Sequence, residues 1–321
     1  MPKVFVTRRI PAAGLDRLRA AGCDLDIWPG DMPPPRDEIV RRVADCDGLL
    51  CLLTEPIDVT VLAAAPKLKV VSIMAVGYNN IDVKTATARG IVVGNTPGVL
   101  TEATADLAVA LMLAAARCLR VGHEDIAAGK WRTWEPLGYI GQDLAGKTVG
   151  IVGLGRIGAA FAKRCRGGWG MRVLYHNPRP KPDAAAELDA TLVDLATLLR
   201  ESDVVSLHCP LTAYNRGLMG RPQFAAMKKT AVFVNTARGP LVDQTALHEA
   251  LESGTIFAAG IDVTEPEPPD PADPLLKLPN LVVVPHVGSA TVATRDAMAT
   301  IAAENLIAGL QGKPLPHAVT P

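Results

Sequence analysis

The chain has 321 residues, which is long for one domain and sufficient for two. Hydrophobic residues make up 49%, and Lys plus Arg balance Asp plus Glu at 33 each, which argues against a nucleic-acid partner. The first residues, MPKVFVTRRI, lack the apolar core of a signal peptide, and the longest apolar run, near 107–116, is too short to span a bilayer. We therefore expect a soluble, cytoplasmic protein that does not bind a membrane.

The first hundred residues alternate between short apolar stretches and segments with helical spacing. The apolar, β-rich stretches predict strands at 3–7, 25–28, 48–52, 70–74 and 91–93. Alternation of this kind predicts parallel strands joined by right-handed crossovers. We expect a small α/β domain here, and it contains no glycine-rich phosphate loop.

A long Ala- and Leu-rich segment follows, from Thr101 to Leu119. It begins with capping-type residues and predicts a largely buried helix. The segment carries more apolar surface than one small domain could cover, so we predict an isologous homodimer. An irregular stretch with two tryptophans, GKWRTWEPLGYIGQDLAGK, comes next.

Strand–helix alternation restarts at Thr148 with a dinucleotide-binding signature. The predicted strand 148–152 leads into Gly153-Leu-Gly155-Arg-Ile-Gly158, then a helix, then a second strand at 171–175. In such a turn the first glycine allows the tight bend, and the pyrophosphate binds at the helix N-terminus, on Arg156, Ile157 and Gly158.

The remaining strands complete a second α/β unit, and the chain ends in another helix. Strands are predicted at 204–208, 231–235, 258–261 and 281–284, and a helix at 290–310. We expect this helix to pack back onto the first domain. The predicted domains are 1–99 plus 286–321 for substrate and 100–285 for the dinucleotide, with a hinge and a cleft between them.

Three kinds of charged side chain follow predicted strands, where open α/β sheets bind ligands. Arg238 can bind a carboxylate with its guanidinium. His286 is a candidate acid–base group, with His208 as its rival. A carboxylate beside the histidine would stabilise the imidazolium, and Glu265 and Glu267 compete for that role. Reduction of a 2-oxo acid needs such a cation, such an acid and a partner that positions the acid. We predict no metal site.

The end of the second strand, RVLYHNPRPK, bears on which cofactor is used. NAD-preferring domains place an acidic residue there to bind the ribose 2′-hydroxyl. Neither His176, Asn177 nor Pro178 is acidic, and Arg179 could pair with a 2′-phosphate while Asn177 hydrogen-bonds to it. We predict that NADP(H) is preferred and that NAD(H) is possible.

The motifs GLGRIG, HCPLT, NTARGPLVD, GIDVTEPEP and PHVGSAT occur together in an order and spacing that resemble the D-isomer-specific 2-hydroxyacid dehydrogenases. The resemblance implies two doubly wound (Rossmann/flavodoxin-like) lobes, the nucleotide lobe being inserted into the substrate lobe. It implies that Arg238, Glu267 and His286 are catalytic, which selects Glu267 over Glu265. Within the family, segments such as WRTWEPLGYIG are most similar to the glyoxylate/hydroxypyruvate reductase branch.

The resemblance also implies binding residues. The backbone near Val76 and Gly77 would hold the substrate carboxylate, and Trp134 would reach the pocket of a neighbouring subunit. Further substrate contacts are implied for Leu53, Arg238, His286 and Ser289. Further cofactor contacts are implied for Cys209, Pro210, Thr236, Asp262 and Gly288.

Two alternatives remain at this point. One is another D-2-hydroxyacid dehydrogenase, of the phosphoglycerate or D-lactate type. The chain lacks the additional C-terminal regulatory domain of many phosphoglycerate dehydrogenases, which weakens that interpretation. The other is a non-enzymatic NAD(H)-sensing protein like the C-terminal binding protein corepressors, since fold does not fix function.

Overall fold

The computed structural model describes residues 1–320. The chain forms two compact units, one from Met1–Leu100 together with the chain from Ser289 onward, the other from Thr101–Gly288. Both are α/β, and the predicted class of two doubly wound units is confirmed. No helix within residues 1–320 has the length and apolar character needed to cross a membrane.

The regular elements follow one another as the alternation predicts. Up to residue 100 they are β1 (Lys3–Val6), α1 (Ala12–Ala20), β2 (Asp24–Ile27), α2 (Arg36–Val43), β3 (Gly48–Cys51), α3 (Val59–Ala63), β4 (Val70–Ile73), α4 (Val83–Ala88) and β5 (Val92–Gly94). The second unit contains α5 (Thr101–Ala116), α6 (Leu119–Ala127), β6 (Thr148–Val152), α7 (Arg156–Trp169), β7 (Arg172–His176), α8 (Pro182–Leu188), β8 (Ala190–Leu192), α9 (Leu195–Glu201), β9 (Val204–Leu207), α10 (Arg221–Ala225), β10 (Val232–Asn235), α11 (Gln244–Glu252), β11 (Ala258–Ile261) and β12 (Leu281–Val283). The chain closes with α12 (Val292–Leu310) and β13 (Ala318–Val319).

The sheet of the first unit has the strand order β13-β5-β4-β3-β1-β2. All neighbours are parallel except β13, which pairs antiparallel with β5 at one edge. Helix α12 packs on helix α1 and strand β4 of this same unit. Because the order reverses between β1 and β3, ligands are expected at the carboxyl ends of these strands.

The sheet of the second unit has the order β12-β11-β10-β9-β6-β7-β8 and is parallel throughout. Apolar cores cover both of its faces, one including α5 and α7, the other including α9, α10 and α11. Strands buried on both faces explain why their sequences are continuous apolar runs. The order reverses between β6 and β9, beside the glycine turn.

The structure corrects the prediction for 101–119. Helix α5 ends at Ala116, Cys118 has a left-handed φ of 53°, and a separate helix, α6, begins at Leu119. The apolar face of α5 is covered by its own unit, because small residues let it approach strand β11, where Gly260 lies against Leu111. Leu107, Val109 and Leu113 of α5 are only partly buried within this unit, and the homodimer stays a prediction.

Seven of the large exposed apolar side chains lie between residues 119 and 140. We call this region the apolar arm, meaning helix α6 and the irregular segment 131–140. Its large exposed side chains are Leu119, Ile126, Trp131, Trp134, Leu137, Tyr139 and Ile140. Trp134 is 77% exposed and Leu137 is 82% exposed, which is unusual for side chains of this size. Several large apolar side chains exposed within one short stretch of chain indicate a protein interface.

Candidate active site

The charged residues that the sequence singled out follow three neighbouring strands. Arg238 comes after β10, Glu267 after β11 and His286 after β12, and these strands are adjacent in the parallel sheet. Their carboxyl ends therefore lie along one edge, which brings side chains that are 48 residues apart in sequence into one cluster.

His286 and Glu267 form a hydrogen-bonded pair. The distance from His286 Nδ1 to Glu267 Oε1 is 2.8 Å. An ionised carboxylate can only accept, so Nδ1 carries the hydrogen and Nε2 is left as the nitrogen that can take up or release a proton. Glu265 lies instead beside Arg216, with 3.7 Å between Glu265 Oε1 and Arg216 Nη1. Of the two glutamates, Glu267 is therefore the one that is hydrogen-bonded to His286.

Asp262 fixes the backbone around His286. The His286 backbone has a left-handed φ of 53°. Its N–H donates to the Asp262 carbonyl at 3.0 Å, and the Asp262 carboxylate accepts N–H groups from Val287 at 2.6 Å and Gly288 at 2.8 Å. Burial raises the pKa of the Asp262 carboxyl, and these two donors oppose the rise. Asp262 therefore holds the turn that aims the imidazole.

The sequence did not reveal this role of Asp262. Its side chain is buried and its oxygens accept backbone donors more than 20 residues away, and the cofactor contact implied for it stays a prediction. One signal in the sequence could have indicated this role. Asp262 directly follows a buried strand, and a carboxylate in such a position needs hydrogen-bond donors to offset its desolvation.

Arg238 lies beside this pair in a partly buried position. Burial lowers the pKa of its guanidinium, while the negative charge of Glu267 opposes that shift. Gly239 follows it, and a Cβ on that residue would lie 1.9 Å from the Thr264 carbonyl oxygen. Glycine thus allows the Arg238 turn to approach the loop that carries Glu267.

His208, the rival histidine, is placed differently. Its Nε2 is 2.8 Å from the Ser206 hydroxyl, and its buried Nδ1 has no partner within residues 1–320. Its ring lies against Phe161, with 5.2 Å between ring centroids. Burial lowers the pKa of His208 to about 3, so the ring is neutral at physiological pH and poorly suited to donate a proton.

The glycine turn fits a dinucleotide. Gly153 has a φ of +102°, and a Cβ there would lie 2.6 Å from the Cys209 backbone nitrogen. Gly155 precedes α7 with no side-chain cap, and a Cβ on it would meet nothing within 4 Å. Open space in front of uncapped N–H groups of Arg156 and Ile157, at the start of a 14-residue helix, suits a pyrophosphate.

Comparison with known proteins agrees with this geometry. Residues 109–288 match the D-isomer specific 2-hydroxyacid dehydrogenase, NAD binding domain. The chain is 52% identical over 319 residues to the glyoxylate reductase of Korarchaeum cryptofilum, covering 99% of this chain and 96% of that protein. A crystal structure of a Thermus thermophilus protein matches with a TM-score of 0.93 at 47% identity, covering 99% of this chain and 100% of that one.

A third relative was crystallised with ligands. It is an NADPH-dependent glyoxylate/hydroxypyruvate reductase from Sinorhizobium meliloti in complex with NADP and malonate, 33% identical with a TM-score of 0.86. The match covers 99% of this chain and 97% of that one.

The chain belongs to the D-isomer specific 2-hydroxyacid dehydrogenase family. The resemblance seen in the sequence motifs is thereby confirmed, and the second unit contains the family's NAD-binding domain. A nicotinamide cofactor follows from this domain and from the fit of the glycine turn.

The end of β7, where NAD-preferring Rossmann domains place an acidic residue, carries none in this chain. Asn177 Oδ1 accepts the Leu154 N–H at 2.6 Å, which ties this strand end to the glycine turn and leaves the amide nitrogen as a donor. His176 Nδ1 is 3.0 Å from the Val193 carbonyl oxygen. Arg179 and Lys181 are exposed, and no acidic side chain within residues 1–320 pairs with either.

In the first unit, the segment after β4 has the character expected of a carboxylate-binding loop. The N–H groups of Val76 and Gly77 donate to no other group within residues 1–320, and both residues are partly exposed. Two free backbone donors in succession suit an anion. Leu53, in the loop after β3, is also partly exposed.

The remaining predicted residues are distributed over both units. Cys209 and Pro210 follow β9; Cys209 is partly exposed and lies against Gly153, and Pro210 is exposed. Thr236 follows β10, with a buried hydroxyl that has no partner among the described residues. Gly288 lies against Asp262. Ser289 begins the return to the first unit, and Trp134 lies in the apolar arm.

Proposed function

We propose that this chain reduces small 2-oxo acids, glyoxylate to glycolate and hydroxypyruvate to D-glycerate. The observation that carries the proposal is the 2.8 Å pair of His286 and Glu267 beside a desolvated guanidinium. The names of the relatives in Korarchaeum and Sinorhizobium support the same substrate class.

Each residue of the cluster has a defined task in this reaction. Bound NADPH supplies the hydride. Arg238 binds the oxo acid through its carboxylate and carbonyl oxygens, for which a partly buried guanidinium is well suited. His286 gives the proton on Nε2 to the oxygen that becomes the hydroxyl, and Glu267 holds the ring through Nδ1 and stabilises its protonated form.

The first unit supplies the substrate-binding backbone in this proposal. The N–H groups of Val76 and Gly77 donate to the substrate carboxylate, and Leu53 limits the size of the group attached to the carbonyl carbon. We keep the contacts that the family resemblance implies for five further residues. Ser289 would contact the substrate, and the cofactor would be contacted by Cys209, Pro210, Thr236 and Gly288.

We further propose that NADPH is preferred over NADH. Arg179 has no competing acidic partner within residues 1–320, and the Asn177 amide nitrogen is free to donate to a 2′-phosphate. Two donors without a nearby carboxylate favour the phosphate over the hydroxyl.

We also propose that the chain is a homodimer whose interface includes the apolar arm. Ile126, Trp134 and Leu137 are 62%, 77% and 82% exposed in a single chain. An isologous interface would cover them and would bring Trp134 to the partner's substrate site, as the family resemblance implies.

A steady-state assay tests the proposed function. Purified protein is mixed with NADPH or NADH and with glyoxylate, hydroxypyruvate, pyruvate or phosphohydroxypyruvate, and kcat/KM is measured for each. We expect glyoxylate and hydroxypyruvate with NADPH to give the highest values. Negligible turnover with every acid would favour a cofactor-sensing protein, and a preference for phosphohydroxypyruvate or pyruvate would favour another dehydrogenase of the family.

A further inference from the structure

A buried carboxylate lies in the first unit. Glu55, in the loop after β3, is only 1% exposed and has no cationic partner within residues 1–320. Its Oε2 accepts the Thr7 hydroxyl at 2.5 Å and the Leu52 N–H at 2.7 Å, and its Oε1 accepts the Thr54 hydroxyl. A buried carboxylate is costly unless it is hydrogen-bonded, so this arrangement requires all of its donors.

Asn80 joins this network to the loop after β4. Its amide nitrogen donates to the Leu52 carbonyl at 2.8 Å and to the Glu55 carbonyl at 2.7 Å. Its own backbone carbonyl accepts the Ile57 N–H at 2.8 Å. Leu52 is therefore held at both polar groups of its backbone, by Glu55 at the N–H and by Asn80 at the carbonyl.

The other end of the same loop is also held by a side-chain amide. Asn95 donates to the Val76 carbonyl at 2.8 Å, and the buried Asn305 of α12 donates to the Asn95 carbonyl at 2.9 Å. Segment 76–80 is thus fixed at both ends, while the N–H groups of Val76 and Gly77 stay free. The Asn80 contacts link this segment to the residue that precedes Leu53.

We infer that Glu55 and Asn80 are positioning residues that set the distance between Leu53 and the Val76–Gly77 backbone, and thereby which 2-oxo acids are accepted. The inference rests on the proposed function. Neither side chain needs to touch the substrate, because both act through the backbone of Leu52. The three groups that donate to the Glu55 carboxylate, the Thr7 and Thr54 hydroxyls and the Leu52 N–H, all belong to the first unit.

The test is the substitution Glu55→Gln in the full-length protein. Glutamine has the same size but is neutral and offers one acceptor oxygen and an NH₂ group, so the threonine hydroxyl that meets the NH₂ group must turn from donor to acceptor. We expect KM for glyoxylate to rise about tenfold, the effect of about 1.4 kcal/mol. We also expect the ratio of kcat/KM for glyoxylate and hydroxypyruvate to change about threefold or more, because the size limit near Leu53 is relaxed. KM for NADPH should stay unchanged.

Two further variants complete the experiment. Thr7→Val removes one donor to Glu55 without changing side-chain size, and should shift KM in the same direction by a smaller factor. If Glu55→Gln does not fold, Thr7→Val still tests the inference. Glu304→Gln is the matched control, since Glu304 forms only an exposed ion pair with Arg17 in the same unit.

The outcomes separate this inference from the proposed function. An active wild type with KM and the substrate ratio unchanged in folded Glu55→Gln and Thr7→Val would overturn the positioning role alone. A rise in KM for NADPH equal to that for glyoxylate would also overturn it, because it would indicate general disruption. A wild type that reduces neither acid would overturn the proposed function and this inference with it.

Discussion

The two units share a doubly wound architecture, but the loops after their strands carry different chemistry. In the second unit these loops present charged side chains, Arg238, Glu267 and His286, on three adjacent strands. In the first unit they present the free N–H groups of Val76 and Gly77, while the side-chain amides of Asn80 and Asn95 hold nearby backbone carbonyls. The carboxylate of Glu55 is buried and accepts three hydrogen bonds. Under our proposals, the same fold serves proton transfer in one unit and substrate selection by size in the other, because the loops after the strands differ.

The largest expected effect is on proton transfer in the second unit. His286→Asn removes the titratable group but keeps a polar side chain, and we expect kcat to fall by a factor on the order of 10²–10⁴, the usual reach of general acid–base catalysis. KM for NADPH should change little. Steady-state kinetics with glyoxylate measure both quantities.

A second histidine in the same unit provides the control. His248 lies on α11, with Glu252 3.9 Å away, and His248→Asn should retain wild-type kcat. If His286→Asn changed KM for glyoxylate but left kcat intact, His286 would bind substrate rather than transfer the proton. The proposed difference in role between the two units would then be wrong.

The next effect concerns cofactor choice, which also belongs to the second unit. Arg179→Ala removes a proposed charge-assisted hydrogen bond to the 2′-phosphate, worth roughly 1.5–3 kcal/mol, so NADPH should bind about 10- to 100-fold more weakly. NADH affinity should be nearly unchanged. Fluorescence titration with both cofactors measures the difference, with the exposed Arg200→Ala as control. Equal losses for both cofactors, or a wild-type preference for NADH, would contradict the assignment.

The sequence predicted the parts of this molecule that depend on local patterns. Alternating apolar and helical segments indicated nearly every strand, and the glycine turn with its flanking elements indicated the dinucleotide site. The break at Cys118 was missed because the Ala- and Leu-rich segment continues through it without glycine or proline. Strands β8 and β13 were missed because they are only three and two residues long.

Long-range contacts account for the rest. The choice of Glu267 over Glu265 depended on the family resemblance, because two residues of the same type two positions apart cannot be separated by spacing. The carboxylate of Asp262 engages backbone groups 25 and 26 residues away, and Glu55 engages a hydroxyl 48 residues away. Such partners are set by tertiary folding and leave no periodic signal in the sequence.

A smaller effect concerns the apolar arm, which only the second unit carries. Leu137→Asp places a charge in the proposed interface, and we expect the dimer dissociation constant to rise on the order of tenfold or more, since burying one leucine contributes about 1.5–3 kcal/mol. Light scattering over a concentration series measures the change. Met32→Asp is a control, being an exposed apolar residue of the first unit outside the arm. A wild type that is monomeric at micromolar concentration would refute the dimer.

The smallest effect concerns His208, the histidine that follows β9 in the second unit. Burial lowers its pKa to about 3, whereas the unfolded chain should titrate near about 6.5. Between these values the unfolded state binds more protons, so the stability that the neutral ring contributes is complete above about pH 6.5 and is lost as pH falls toward 3.

His208→Gln cannot titrate, so its free energy of unfolding should fall less than that of wild type between pH 7 and pH 5.5, by about 1 kcal/mol. Urea denaturation at both pH values tests this, with His248→Gln as the control. An identical pH dependence in wild type and His208→Gln would mean that folding does not lower the pKa of His208, and would contradict this prediction.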